Sequence, residues 1–379
     1  MRIGIEAQRI FREKKHGMDM VALELIRALQ RLDTENQYFI LVNDGPDEAC
    51  LAPAANFEII RHKALYPIWE QVWLPRVARE LKLDMLHCTS NTAPLSIPIP
   101  LLVTIHDLIY LERHPLVARG YNLYQRFGNL YRRWVVKRLL ARAHRIFTVS
   151  HYEAQHFKKY PQMAPERLAV VYNGVGPHFK PVDDQQALQR ARRNYGLPEN
   201  FVLFLGNTDP KKNTRRTVQA FGQFCRAHGR HYKLVVGDFA PELIRRYLDE
   251  AGLQAYFDQF VFTGYVPNGD MPLLHNLADL YLYTSLRESF GIPILEAMAC
   301  GTPVITSDRA SMPEVAGDAA YLVDPTSTEE MVDTMARVLL NDDTASLVEA
   351  GLKRAKNFTW EAAAQDTLDH YKTLFGPKQ

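Results

Sequence analysis

The sequence of 379 residues has little net charge, few cysteines and no long apolar run. Its 45 basic and 43 acidic residues leave a net charge of +2, which argues against a protein that covers nucleic acid with its whole surface. No stretch of about 18 uncharged apolar residues occurs, so we expect no membrane-spanning helix. The segment Met1–Glu6 lacks the pattern of a signal peptide. No Cys-x-x-Cys pair is present, which argues against a disulfide framework or zinc site and favours a reducing cytoplasm; the cysteines are Cys50, Cys88, Cys225 and Cys300.

The common glycine-rich phosphate motifs are also missing. No Gly-x-Gly-x-x-Gly follows the first predicted strand, and Gly174-x-Gly176 lacks the third glycine. No Walker A sequence is present. These absences argue against a dinucleotide-dependent oxidoreductase and a P-loop nucleotide hydrolase.

Short apolar segments alternate with helical periodicities along the chain, which predicts parallel sheets covered by helices. The first series of predicted strands comprises 2–7, 38–42, 85–87, 101–106 and 145–149. The second series comprises 201–205, 233–236, 259–264, 280–284, 304–306 and 321–323. We therefore predict an α/β protein with two doubly wound, Rossmann-like domains, 1–175 and 182–356. Glycine and proline in 174–185 suit a linker, and a last helix is predicted within 357–379.

The strongest local motif is Arg287–Ile305, which follows a predicted strand. Gly291 permits a tight turn and Pro293 suits the first turn of a helix, so Glu288 lies on the loop and Glu296 one turn into the helix. Ligands of open α/β sheets bind at this edge, and the backbone N–H groups of a helix start attract anions. Two carboxylates here suit hydrogen bonds to sugar or ribose hydroxyls. Without further evidence, a structural interpretation is favoured over a binding site, with Glu288 as a helix-capping residue and Glu296 as a solvated helix position.

This motif, with Thr306–Ala320 and Phe358–Trp360, closely resembles glycosyltransferase family 4. The family consists of retaining enzymes with nucleotide-sugar donors and the GT-B fold, in which two Rossmann-like domains face a cleft and a C-terminal helix crosses back to the first domain. The resemblance implies that Glu296 binds the donor ribose and that Glu288 is the catalytic carboxylate at the donor sugar. It also implies substrate contacts from the adjoining loop, at Ser289, Phe290, Gly291 and Ile292.

A second motif, Phe204–Asn213, joins a predicted strand to a helix and contains two lysines. A departing diphosphate gains negative charge, which fixed cations stabilise. A bare lysine pair is more often solvated, but the helix dipole disfavours cations here and thus favours a bound anion. By resemblance, Lys212 is the diphosphate-binding lysine, assisted by Lys211, Gly206 and Asn207. Many members carry Arg at the positions of Asn207 and Lys211, and Lys lacks the bidentate fork of Arg.

Two candidates lie in the first domain. His106 ends a predicted strand, where the family has a histidine near the donor sugar; its implied role is a hydrogen bond to a sugar hydroxyl, with Asp107 orienting the ring. Gly17 precedes the first long helix, where the family commonly has a glycine-rich loop near the donor phosphate or acceptor. A buried core histidine and an ordinary turn are the alternatives for these residues.

The stretch 111–160 is rich in Lys and Arg, with aromatic residues at helical spacing. One helical face carries Tyr121, Tyr124, Phe127, Leu130, Tyr131, Trp134, Val135 and Leu139, and another carries Arg126, Arg133 and Lys137. Such a helix suits peripheral contact with anionic lipid through 118–145, and equally a core-packed helix with a solvated basic side. We expect no nucleic-acid partner, because no RNA-binding motif accompanies the charge.

The predicted activity is transfer of a hexose from a nucleotide sugar to a glycan or lipid-linked acceptor in polysaccharide biosynthesis. Similarity to bacterial mannosyl- and rhamnosyltransferases makes GDP-mannose the first candidate donor, with UDP- and dTDP-sugars as alternatives. No Asp-x-Asp occurs, so we expect metal-independent chemistry and no cofactor. Front-face attack and double displacement through Glu288 both remain open. A non-catalytic nucleotide-sugar-binding protein, an epimerase and a phosphorylase are the alternative functions.

Overall fold

The structure, a computed structural model, describes residues 1–112, 123–341 and 344–375. The chain divides into two compact units. One comprises Met1–Gly174 with Trp360–Gln379, and the other comprises Val175–Thr359. No helix in the described ranges combines the length and apolar character that crossing a bilayer requires.

The first unit contains a parallel sheet of seven strands in the order β3-β2-β1-β4-β5-β6-β7. Its strands are β1 Arg2–Glu6, β2 Gln37–Val42, β3 Phe57–Arg61, β4 Met85–Cys88, β5 Leu101–Thr104, β6 Arg145–Thr148 and β7 Leu168–Val170. Its helices up to Gly174 are α1 Gly17–Leu32, α2 Tyr66–Ile68, α3 Leu74–Glu80, α4 Ile109–Glu112, α5 Leu123–Arg142 and α6 His151–Phe157. A π-helical turn at Trp69–Trp73 joins α2 to α3.

The sequence predicted five of these seven strands and missed the two at the edges of the sheet. β3 alternates half-buried apolar residues with the exposed Glu58 and Arg61. β7 has three residues, all half-buried. Neither edge strand is fully buried as a central parallel strand such as β4 is.

The second unit contains a parallel sheet of six strands in the order β10-β9-β8-β11-β12-β13. Its strands are β8 Phe201–Phe204, β9 Lys233–Val236, β10 Phe260–Phe262, β11 Leu280–Tyr283, β12 Val304–Ser307 and β13 Tyr321–Val323. Its helices are α7 Gln185–Asn194, α8 Thr214–His228, α9 Pro241–Asp249, α10 Met271–Leu277, α11 Ile292–Ala299, α12 Met312–Ala316, α13 Thr328–Ala336 and α14 Ala345–Ala355. The predicted α/β class with two parallel sheets is confirmed.

The last helix, α15 at Trp360–Phe375, belongs to the first unit, as predicted. It packs against α1, where Arg31 and Glu361 form an ion pair at 2.6 Å. In the buried part of this contact, the hydroxyl of Tyr371 lies 2.7 Å from Nδ1 of His87. Burial lowers the pKa of His87 to about 3, so the ring is neutral and Tyr371 completes its hydrogen bonding.

Replacing Tyr371 by Phe tests how the last helix is anchored. The variant leaves a ring nitrogen of His87 buried without its partner, and we expect a loss of about 1–3 kcal/mol in the free energy of unfolding, measured by urea denaturation. Tyr247→Phe on the half-buried surface of α9 is the control and should change stability by less than about 0.5 kcal/mol. Equal effects of the two substitutions would show that the buried hydrogen bond does not anchor α15.

Candidate functional site

The predicted site residues of the second unit lie near the carboxyl ends of two central strands of its sheet. Strands β8 and β11 are neighbours there, and connections leave them toward opposite ends of the sheet, which makes a topological switch point. The loops that hold Lys211 and Leu286 follow these strands, and the N–H of Leu286 donates to the carbonyl of Lys211 at 2.7 Å. The fold therefore brings two motifs more than 70 residues apart in the chain to the edge where such sheets bind ligands.

Lys212 and Glu288 form an ion pair at this edge. The Lys212 Nζ lies 2.7 Å from Oε1 of Glu288, and the two side chains are only 17% and 12% exposed. Nζ also donates to the Tyr283 hydroxyl at 3.3 Å and lies 5.1 Å from the centre of its ring. An incoming diphosphate would thus meet a cation already positioned beside a carboxylate.

Glu296 lies on α11, one turn from the start of the helix, as predicted. Burial raises the pKa of its carboxyl to about 7. It forms no hydrogen bond or ion pair with any residue that the structure describes. A carboxyl group in this state has free capacity to bind ligand hydroxyls.

The loop before α8 is built by its own polar groups. A Cβ at Gly206 would lie 2.5 Å from the Phe204 ring and 2.8 Å from Oγ1 of Thr214, so glycine is needed there. Asn207 accepts the N–H of Asp209 at 2.9 Å through Oδ1, and its carbonyl accepts the Thr214 hydroxyl at 2.6 Å. Asn207 thus shapes the loop. Lys212, and not Lys211, contacts Glu288.

The predicted residues of the loop before α11 differ in burial. Gly291 has φ +111° and precedes the helix, a conformation that favours glycine. Phe290 is 3% exposed, and its ring lies 5.8 Å from the Phe358 ring. Ser289 and Ile292 are half-buried. The Phe290 ring therefore packs inside the unit, while Ser289, Gly291 and Ile292 line the loop and the helix start.

Two residues that we did not predict hold these loops. Buried Asn213, at φ +59°, donates through Nδ2 to the carbonyls of Thr284 at 3.1 Å and Pro325 at 2.6 Å. Buried Ser311 donates to the carbonyls of Glu288 at 2.9 Å and Phe290 at 2.7 Å. The only sequence signal was that Asn tolerates a left-handed turn and that Ser favours a helix start.

His106 follows β5 in the first unit and is buried. Its backbone N–H donates to Oδ1 of Asn91 at 2.7 Å, and the ring nitrogen Nε2 lies 3.0 Å from the carbonyl oxygen of Thr89. A carbonyl only accepts, so Nε2 carries the hydrogen and Nδ1 is the acceptor. Burial lowers the pKa of His106, which keeps the ring neutral. The prediction that Asp107 orients the ring was wrong, because Thr89 does so and Asp107 accepts the N–H of Ile109.

Gly17 is the first residue of α1. A Cβ there would have no neighbour within 4 Å, so the position is open. Two residues later, buried Asp19 accepts the N–H of His16 at 3.0 Å and pairs with Arg9 at 2.8 Å. This arrangement fixes the start of α1, and we had not predicted it. Gly17 and His106 lie in the first unit, apart in the chain from the second-unit residues.

No group of three or more His, Cys, Asp or Glu side chains among the described residues is arranged to hold a metal ion. Near the ends of β8 and β11, the second unit offers the Lys212–Glu288 ion pair and the half-buried Glu296 carboxyl. This chemistry suits binding of a phosphate anion and of hydroxyl groups.

Comparison with protein families identifies both halves of the chain. Residues 16–179 match the model of Glycosyltransferase Family 4, and residues 185–354 match that of Glycosyl transferases group 1. The chain belongs to these glycosyltransferases. The predicted family is therefore confirmed, and the two models together cover most of the sequence.

Relatives and solved structures agree with this assignment. The chain is 29% identical over 237 residues to O-antigen chain mannosyltransferase B of Escherichia coli, a match covering 60% of each protein. It is 29% identical over 244 residues to the E. coli serotype-specific mannosyltransferase WbdA, covering 63% of this chain but 30% of that protein. The chain thus spans less than two thirds of the length of either relative. Anabaena HepE, solved with UDP and glucose, superposes with a TM-score of 0.74 at 17% identity, covering 98% of this chain and 99% of HepE. This likeness confirms the GT-B fold.

Glu296→Gln tests the burial of the α11 carboxyl. Its pKa is about 7 in the folded protein, against roughly 4.3 in an unfolded chain, so the folded state holds an extra proton between these values. Stability of the wild type should therefore fall as pH rises through this window. The variant, which does not ionise, should match the wild type near pH 4 and exceed it by about 1–3 kcal/mol near pH 8 in urea unfolding. Exposed Glu329→Gln is the control. If the difference in unfolding free energy between Glu296→Gln and the wild type did not change with pH, the carboxyl would be solvated.

Proposed function

We propose that the protein is a retaining glycosyltransferase that moves a hexose from a nucleotide sugar to a glycan or lipid-linked acceptor. The observation that carries this proposal is the Lys212–Glu288 ion pair at the switch point of a family-defining domain. A cation there can stabilise a departing diphosphate, and a carboxylate beside it can stabilise positive charge on the sugar.

In the proposed reaction, the bond between the anomeric carbon and the diphosphate oxygen breaks, and Lys212 stabilises the released diphosphate. The backbone N–H groups at the start of the helix after Gly291 also stabilise the negative charge of the diphosphate. An acceptor hydroxyl then attacks from the same face and passes its proton to the diphosphate oxygen. Glu288 orients the sugar, and the role of His106 at a sugar hydroxyl stays a prediction. Double displacement through a covalent Glu288 intermediate is the alternative route to retention.

The first candidate donor is GDP-mannose, in the assembly of a bacterial surface polysaccharide such as lipopolysaccharide. Support comes from the E. coli relatives, both of them mannosyltransferases by name. A UDP-sugar is the alternative, because HepE was solved with UDP and glucose. We propose that Glu296 binds the ribose hydroxyls and that no metal or cofactor takes part. The lack of Asp-x-Asp and the supply of cation by Lys212 support a metal-independent reaction.

Nucleotide selection and two substitutions test the proposal. Binding to the folded state raises the melting temperature, so one diphosphate among GDP, UDP, dTDP and ADP should stand out in a thermal-shift panel. With the matching sugar donor, Glu288→Gln and Lys212→Ala should each lower turnover by more than about tenfold without unfolding the protein. Exposed Glu329→Gln and Lys356→Ala are the charge-matched controls. Transfer at the wild-type rate by either site variant would reject the role of that residue.

The same assays separate the alternative functions. A non-catalytic binding protein would bind the nucleotide but neither hydrolyse nor transfer the sugar. An epimerase would convert the nucleotide sugar in the absence of acceptor. A phosphorylase would need free phosphate as a substrate. Product with retained anomeric configuration, measured by NMR, would support the retaining transferase.

We further propose that the protein works peripherally on the inner face of the cytoplasmic membrane. Helix α5 carries six Lys or Arg residues and no acidic residue. Residues 118–122 of the predicted contact lie outside the described residues. In the described part, Val135 and Leu139 pack in the core, so the predicted apolar face divides into a buried and an exposed row.

The neighbouring segment 65–73, which contacts α5 through Tyr131, carries exposed apolar side chains of its own. The Tyr66 and Tyr131 rings are 6.0 Å apart, and Gln71 donates to the Tyr131 hydroxyl at 3.0 Å. Together this segment and α5 supply more than half of the large exposed apolar side chains that the described residues show: Leu65, Ile68, Val72, Phe127, Leu130 and Trp134. Arg138 lies over the Trp134 ring at 4.3 Å, so cation and aromatic group share one face. Such a surface suits anionic lipid, the site of a lipid-linked acceptor.

Vesicle sedimentation tests this membrane contact. The wild type should bind vesicles rich in phosphatidylglycerol, less so in high salt, and should bind phosphatidylcholine vesicles weakly. The double variant Phe127→Gln, Trp134→Gln should lose about tenfold or more in binding, because each buried apolar side chain contributes about 1.5–3 kcal/mol. Leu322→Gln, an exposed leucine of the second unit, is the control. Absence of wild-type binding would reject the membrane proposal and leave the transferase proposal intact.

A further inference from the structure

The two tyrosines of β11 share one face of the strand but have different surroundings. The rings of Tyr281 and Tyr283 are 6.0 Å apart and nearly parallel. Because side chains alternate along a strand, Leu280 and Leu282 lie on the other face, in the hydrophobic core. Tyr281 is 0% exposed and Tyr283 is 3% exposed. Buried tyrosine hydroxyls usually have a hydrogen-bond partner, so the partners of each hydroxyl bear on its role.

The Tyr283 hydroxyl lies between the two charged groups of the candidate site. It accepts from Nζ of Lys212 at 3.3 Å, and the ammonium also lies 5.1 Å from the ring centre. Burial first, and then the neighbouring Glu288 carboxylate, raise the pKa of Tyr283 well above its usual value, with a hydrogen bond to Glu288 contributing. The hydroxyl therefore keeps its proton and accepts a hydrogen bond from Lys212.

The Tyr281 hydroxyl offers a matched contrast. It is buried and has no hydrogen-bond partner among the described residues. Its ring packs edge-on against His275 at 5.0 Å. Removing this hydroxyl breaks no recorded hydrogen bond, although the strand, the face and the residue type are the same as at Tyr283.

Binding of a diphosphate would remove the cation that neutralises Glu288, and the Tyr283 hydroxyl is positioned to compensate. Lys212 contacts Glu288 at 2.7 Å, so a diphosphate that attracts the ammonium deprives this mostly buried carboxylate of its cation. A buried charge that loses its partner is costly and tends to move. Once Nζ moves toward the diphosphate, the Tyr283 hydroxyl no longer accepts from it and can donate its proton to Glu288, while the ring remains beside Lys212.

We infer that Tyr283 is a positioning residue that holds Lys212 and Glu288 in place while a nucleoside diphosphate takes the Lys212 ammonium from Glu288. This inference rests on the proposed nucleotide-sugar donor. The hydroxyl holds the carboxylate, and the ring limits where the ammonium moves.

Tyr283→Phe removes the hydroxyl and keeps the ring, and Tyr281→Phe is its control. The affinities of GDP and GMP, or of UDP and UMP if the wild type selects uridine, are measured by calorimetry. Because Lys212 binds the diphosphate, Tyr283→Phe should reduce the preference for diphosphate over monophosphate severalfold, and Tyr281→Phe should preserve it. Turnover by Tyr283→Phe should fall by roughly tenfold to a hundredfold, the range for a lost hydrogen bond to a charged group. In a Lys212→Ala background the same substitution should leave the preference unchanged.

The outcomes separate this inference from the proposed function. Wild-type preference and turnover in Tyr283→Phe would overturn the inference, as would equal losses in the two Phe variants, since these would indicate packing alone. A wild type without any preference for diphosphate would also overturn it. A wild type that prefers diphosphate but transfers no sugar would reject the transferase proposal, while the binding comparison would still decide the role of Tyr283.

Discussion

The arrangement of the second unit depends on one ion pair, between Lys212 and Glu288. Both side chains are mostly buried, and charges removed from water are tolerated only when they are paired and hydrogen-bonded. The two groups therefore compensate each other's charge. Binding of a diphosphate is then an exchange of anions at Lys212, and two loops must stay fixed during it. Asn213 fixes these loops through two hydrogen bonds to backbone carbonyls, and the single hydroxyl hydrogen of Ser311 is shared between two more carbonyls.

The central part of the fold was predictable because of burial. A strand such as β8 is covered on both faces, so it appears as an uninterrupted apolar segment between polar turns. The edge strands β3 and β7 were not predicted: β3 carries the exposed charged residues Glu58 and Arg61, and β7 has only three residues. The pairing order of the strands, which creates the switch point between β8 and β11, came only from the structure.

The site was predictable to the extent that its residues occur in compact motifs. Lys212 and Glu288 each stand in a recognisable strand–loop–helix segment, but their mutual contact follows from sheet order and not from either motif. Tyr283 could not be found from the pattern, because a tyrosine in an apolar strand is typical of a core residue. The prediction for Asp107 failed for a different reason. Its position next to His106 in the sequence suggested a contact with the ring, but the Thr89 carbonyl makes that contact.

The protonation states of the first-unit and second-unit groups bear on the proposed mechanism. Burial lowers the pKa of His106, and its Nε2 hydrogen is committed to the Thr89 carbonyl. Such a ring accepts a hydrogen bond through Nδ1 but is a weak base, so it orients a hydroxyl better than it removes a proton. Glu288 is paired with Lys212. The strongest base that the proposed reaction produces is the departing diphosphate oxygen. Proton transfer to that oxygen, and hence front-face attack, therefore fits these residues better than a route that needs a separate base.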